Sequence, residues 1–167
     1  DAVDLPIVLY NVPGRTGVNM TASTALQLAQ HPNIVATKEA SGNLDQISEI
    51  AASAPDGFAV LSGDDSLTLP VIAVGGSGVI SVTSNIAPRA VSELVALALR
   101  GDMFASRQRH QQLLDLHRAM FLDNNPTAVK TAASMLQFCT PELRSPQTAM
   151  TSGNRELLRS AMETFGF

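Results

Sequence analysis

Four short apolar runs, rich in β-branched residues and set about 20 to 28 residues apart, constrain this chain more than any other feature. They cover residues 5–10, 34–38, 58–62 and 78–82. Each is too short for a helix of ordinary length and reads as a strand. Helix signals fill the intervals. Thr21 is placed to cap a helix through about Gln30, and Pro32-Asn33 breaks it. Asn43 is placed to cap residues 44–53, where Leu44, Ile47 and Ile50 recur at spacings of three. Pro55-Asp56-Gly57 is a turn. A helix over about 65–74 ends at Gly75-Gly76, and Pro88 sits in the first turn of another that runs to Leu99 and closes at Gly101. Strands alternating with helices at this interval predict an α/β fold with a parallel sheet and right-handed crossovers.

Every predicted strand ends in residues able to do chemistry: Tyr10-Asn11, Lys38-Glu39, Ser62-Gly63 and Ser81. Sites at the carboxyl ends of parallel strands are usual both in (β/α)8 barrels and in doubly wound sheets. Four βα units amount to half of such a barrel. After Gly101 the character changes: residues 102–122, 127–138 and 154–165 read as helices, with a break at Asn124-Asn125-Pro126. The expected organisation is a βα region over 1–101 and a helical domain over 102–167.

Composition excludes several classes. Charged residues make up 16% and hydrophobic ones 45%, a balance suited to buried parallel strands or to surface hidden in an oligomer. A net charge of −4 argues against nucleic-acid binding, which needs clustered Lys and Arg. No apolar run reaches the roughly 18 residues that span a bilayer. Asp1 and Asp4 stand where the basic segment of a signal peptide would be. The single Cys139 forms no internal disulfide and fits a reducing cytosol. The absence of an initiator Met, with a strand run so near the start, suggests a fragment or processed chain.

Lys38 is the first candidate for catalysis. A lysine at the mouth of a buried strand is partly stripped of water, which favours the free amine, and a free amine attacks carbonyls to form a Schiff base. The alternative is a lysine that only marks a strand end. Tyr10, the one tyrosine in a chain without tryptophan, could relay protons from its strand end or pack at the rim with a wet hydroxyl. Arg15 lies in a loop stiffened by Pro13, Gly14 and Gly17, suited to a bidentate grip on a carboxylate; a plain surface arginine is the alternative. Asp64 and Asp65 lack further ligands at metal-site spacing and read as helix-start residues. His31, His110 and His117 form no triad with a serine. There is no P-loop and no GxGxxG after a strand, and Gly75-Gly76-Ser77-Gly78 precedes a strand rather than a helix.

Four stretches together carry a resemblance: Tyr10–Gly17 (YNVPGRTG), Ile34–Asn43 (IVATKEASGN), Leu61–Asp65 (LSGDD) and Gly75–Asn85 (GGSGVISVTSN). In order and spacing they resemble the pyruvate-dependent lyase and synthase family that includes dihydrodipicolinate synthase and N-acetylneuraminate lyase. The resemblance spans essentially the whole chain and is closest over 5–100. It implies the C-terminal half of a (β/α)8 barrel, strands five to eight, followed by a helical bundle. It implies that Lys38 forms a Schiff base with pyruvate, that Tyr10 moves protons and that Arg15 binds the carboxylate of L-aspartate 4-semialdehyde. Backbone at Gly63 and Ile80 would line the pyruvate site. The product would be 4-hydroxy-tetrahydrodipicolinate, on the route to diaminopimelate and lysine, made in the cytoplasm by a homotetramer without metal or cofactor.

The family's proton relay also uses two threonines of an early strand and a tyrosine from a neighbouring subunit, and none of these lies in this chain. The 167 residues alone are therefore expected to be inactive. Pro13-x-Arg15-Thr16-Gly17 resembles the synthase pattern, since the sialic-acid lyases lack that arginine. Two readings stay open beside it: a related aldolase for sialic acid or 2-keto-deoxy sugar acids, and a non-catalytic fragment. The chain departs from the family pattern at Pro126–Lys130 and Ser145–Thr151, which touches oligomer contacts more than chemistry.

Overall fold

A computed structural model describes residues 4–167; Asp1, used above against a signal peptide, lies outside the described residues. Two compact units divide the chain, one running to Ser81 and taking up Ala98–Gly101, the other holding Val82–Leu97 and Asp102–Phe167.

The first unit is built on four parallel strands, β1 (Ile7–Asn11), β2 (Ile34–Glu39), β3 (Ala59–Ser62) and β4 (Gly78–Val79), in the order β1-β2-β3-β4. Their register sets out two rows of side chains. Tyr10 pairs with Lys38, Lys38 with Leu61 and Leu61 with Gly78; one residue on, Asn11 pairs with Glu39, Glu39 with Ser62 and Ser62 with Val79. Successive side chains point to opposite faces, so the two rows lie on opposite sides of the sheet. Helices α2 (Ala22–Leu28), α3 (Leu44–Ser53) and α4 (Thr68–Ala73) supply the core of this unit. Ala22, Ala25, Ile47, Ile50 and Val71 are buried with Val60 of β3, and Leu9 of β1 packs against them. Each fully buried isoleucine stabilises the fold by about 1.5–3 kcal/mol relative to exposure. The expected caps form: Thr24 N–H donates to the Thr21 side chain and Gln46 N–H to that of Asn43.

Sequence and structure differ in detail where local geometry overrides pattern. Pro13–Thr16, expected as loop, makes one turn of helix, α1, closed by Gly17 at a φ of 73°. That left-handed conformation suits a residue without Cβ. The segment after β3 begins as a 3-10 turn, Asp65–Leu67, because Pro70 lacks the N–H that would extend the helix backwards. The last strand is only two residues long.

The fold class needs correction. The sheet is open: among the described residues β1 and β4 each pair with one neighbour and do not meet. The chain is an α/β fold on a four-stranded parallel sheet, not the C-terminal half of a (β/α)8 barrel; the extent of the structural match, given below, overturns that assignment. Pattern and resemblance together suggested it because each βα unit looks alike in sequence whichever sheet it joins.

Helix α5 (Pro88–Leu99) follows β4 in the chain; in the second unit, α6 (Met103–Ala119) and α7 (Thr127–Met135) pack against α8 (Ser152–Phe165). Leu113, Leu116, Met120, Ala128, Ala132 and Leu158 are buried in it. The buried His117 ring nitrogen Nδ1 shares a hydrogen bond with Thr83 Oγ1 at 2.9 Å, and Arg109 pairs with Glu93 at 2.7 Å. No described helix is long and apolar enough to cross a membrane.

Candidate active site

Parallel pairing places Tyr10 and Lys38 side by side near the carboxyl ends of β1 and β2. The Lys38 Nζ lies over the Tyr10 ring, 4.1 Å from its centroid. The ring face carries negative charge density and attracts a cationic head group set over it. Lys38 is half-buried, whereas Tyr10 is 50% exposed. An amine and a phenol that share one patch of surface can pass a proton between them or to a molecule bound above.

Gly63 sits beside this pair because its N–H donates to the Glu39 carbonyl at 2.6 Å. A Cβ at this position would lie 2.6 Å from the Ala40 Cβ, so only glycine allows the approach. Ile80 N–H donates to the Ser62 carbonyl at 2.9 Å, which carries the sheet pairing one step past β4. Arg15 stands on α1, exposed, and its guanidinium has no partner among the described residues. The structure thus brings Tyr10, Lys38, Gly63 and Ile80 to the carboxyl ends of the strands. It leaves Arg15 on the connection that follows β1.

The aspartates after β3 do more than open a helix. Asp64 is the residue before the 3-10 turn but makes no side-chain cap. Burial raises its pKa above the usual carboxylate value, the neighbouring Asp65 carboxylate raises it further, and the positive charge of Lys38 opposes both. Asp64 therefore lies within electrostatic reach of the candidate nucleophile. Asp65 is buried and accepts a short hydrogen bond from the Ser81 hydroxyl. The only sequence signal for this was the position of both aspartates directly after a strand end. Three or more His, Cys, Asp or Glu side chains arranged to hold a metal do not occur among the described residues.

Fold and site together define an α/β protein that sets an amine beside a phenol at the carboxyl ends of parallel strands. The Dihydrodipicolinate synthetase family matches residues 1–165, and the chain belongs to that family. It is 51% identical over 162 residues to the 4-hydroxy-tetrahydrodipicolinate synthase of Thermomicrobium roseum, covering 97% of this chain and 54% of that protein. It is 49% identical over 166 residues to the enzyme of the same name from Pelobacter propionicus, covering 99% and 57%. Among solved structures, dihydrodipicolinate synthase from Aquifex aeolicus superposes with a TM-score of 0.95 at 47% identity, over 98% of this chain and 56% of that one. The synthase from Methylacidiphilum fumariolicum SolV gives 0.95 at 43%, over 98% and 55%. The chain spans about half the length of the curated relatives it matches. What superposes is an α/β region with a parallel sheet, and on this finding the assignment to strands five to eight does not stand.

Proposed function

We propose that these residues carry the lysine-bearing part of a 4-hydroxy-tetrahydrodipicolinate synthase, which condenses pyruvate with L-aspartate 4-semialdehyde. The observation that carries this reading is the Lys38 amine held 4.1 Å from the ring of Tyr10. In its free-base form the Lys38 amine adds to the ketone of pyruvate, and loss of water leaves an iminium. The iminium draws electrons from the adjacent methyl group, which gives up a proton to form an enamine. The enamine carbon attacks the aldehyde of the second substrate, and the aldehyde oxygen takes up a proton. The amino group of that substrate then adds to the iminium carbon, closes the ring and expels Lys38 as the free amine.

We assign the protons of these steps to Tyr10, a role supported by the amine lying over its ring. Arg15, exposed and unpaired, suits the carboxylate of the semialdehyde. The backbone at Gly63 and Ile80 lines the pyruvate end. The relatives carry the synthase name, and Pro13-x-Arg15-Thr16-Gly17 favours that reading over a sugar-acid lyase. A homotetramer in the cytosol belongs to the same reading.

The test is reduction with borohydride in the presence of pyruvate, using the natural full-length polypeptide that carries these residues. The peptide containing Lys38 is expected to gain the mass of a reduced pyruvate adduct. A modified protein in which that peptide stays unlabelled would sink the reading.

A further inference from the structure

Directly behind the amine, on the helix-covered face, stands a buried carboxylate that the proposed reaction does not use. Glu39 follows Lys38 in β2 and is 2% exposed. Its Oε2 accepts hydrogen bonds from the Ser41 hydroxyl at 2.6 Å and from Gln46 Nε2 at 3.2 Å. Gln46, also buried, donates to the Met20 carbonyl at 3.1 Å, and its Oε1 accepts from Asn19 Nδ2 at 2.9 Å. Asn19 Oδ1 in turn accepts from Asn11 Nδ2 at 2.8 Å, and Asn11 Oδ1 accepts from Met20 N–H at 2.9 Å. The chain of bonds therefore runs from the residue after Lys38 to the residue after Tyr10. It passes through the α3 N-terminal turn and the connection that follows α1. Backbone bonds close it: Ala40 N–H donates to the Asn11 carbonyl at 2.8 Å, and Gly63 N–H to the Glu39 carbonyl.

We propose that the Glu39–Gln46–Asn19–Asn11 network is a positioning device that clamps the ends of β1 and β2, with Glu39 as the positioning residue for the Schiff-base lysine. The clamp deepens the function proposed above and rests on it. Lys38 and Tyr10 sit on the opposite face of the same two strands, one residue away from Glu39 and Asn11. A strand end that shifts or twists carries both side chains with it. Packing alone would be served by apolar residues. A buried carboxylate that takes two side-chain donors fixes direction as well as contact, because each bond tolerates little change in angle.

The test compares Glu39→Gln, Ser41→Ala and Gln46→Leu with wild type in the natural full-length polypeptide. It measures kcat, the KM for pyruvate and the pH dependence of borohydride trapping on Lys38. In Glu39→Gln and Gln46→Leu, kcat is expected to fall about tenfold or more, with pyruvate KM within about twofold and the pH profile of trapping displaced, as follows when a reacting group is misplaced without loss of binding. The double variant is expected to lose little beyond either single one, because both break one network. Ser41→Ala, the variant least able to disturb folding, shows the same changes on a smaller scale.

A separate readout needs no activity. The emission of Tyr10, taken as the difference between each full-length protein and its Tyr10→Phe counterpart, reports the Lys38–Tyr10 contact. Emission is expected to change in folded Glu39→Gln. Folded variants with wild-type kcat, pH profile and Tyr10 emission would overturn the clamp. If wild type forms no pyruvate adduct, the lysine reading fails by itself, and Tyr10 emission still decides whether the clamp holds the two residues.

Discussion

The two faces of the small sheet differ as a tool differs from its mount. On one face Val8 and Tyr10 are 45% and 50% exposed, and Lys38 is half-buried. On the other, one residue further along, Asn11 and Glu39 are 2% exposed and Ser62 is fully buried. Both faces carry polar groups at the strand ends. On the covered face Asn11, Glu39 and Ser62 are tied to partners, while Thr37 Oγ1 on the same face is buried without one; Tyr10 and Lys38 on the other face stay partly exposed. A polar side chain buried without a partner costs about 1–3 kcal/mol, which is what the bonds of Asn11, Glu39 and Ser62 avoid at the strand ends. The row that includes Lys38 and Tyr10 is under no such demand, and its atoms stay available to a substrate.

Substitutions on the two faces should separate chemistry from stability. Lys38→Arg removes the amine proposed to form the adduct and keeps the charge. Turnover is expected to drop by at least about a thousandfold with the melting temperature nearly unchanged, measured by steady-state assay and thermal melts. Tyr10→Phe keeps the ring under the ammonium and removes the phenol. A fall of about a hundredfold in kcat with trapping by borohydride retained would mark the phenol as the proton carrier; a wild-type kcat would assign the ring a packing role only. Gly63→Ala acts through the backbone that joins the faces. Its Cβ would meet Ala40 Cβ at 2.6 Å, so the strand ends must part, at a cost of about 1–3 kcal/mol. A lowered denaturant midpoint checks it.

The smallest effect concerns Asp64. Its pKa in the folded protein lies above the ordinary 3.8, chiefly through burial, so the folded state binds that proton more tightly than the unfolded chain does. The group therefore favours folding at low pH, and this contribution is lost as pH rises from 3.8 through the raised folded value. Asp64→Asn is expected to melt slightly above wild type at pH 7, with the advantage disappearing below pH 3.8. An advantage that grew toward acid would contradict the burial argument.

Much of the local plan was legible from residue order. Thr21 and Asn43 cap helices as their types and positions require, and the second strand forms where its apolar run predicts, running one residue past Lys38 to Glu39. Asn19, Gln46 and the covered row were not legible. Asn19 and Gln46 meet across 27 residues, and no local pattern announces a hydrogen bond between them. Glu39 read as part of a polar strand end, and nothing in its neighbours showed that it would be buried.

The sequence by itself determined the element order, the caps, the residue types at each strand end and the family, because these follow from short-range sterics, periodicity and motif. Tertiary structure alone decided that β1 and β4 do not meet among the described residues, that Tyr10 lies in register with Lys38, and that Asp64 shares a field with the amine. Register and closure arise from which apolar faces pack together. That is a competition among distant segments which no single stretch of chain contains.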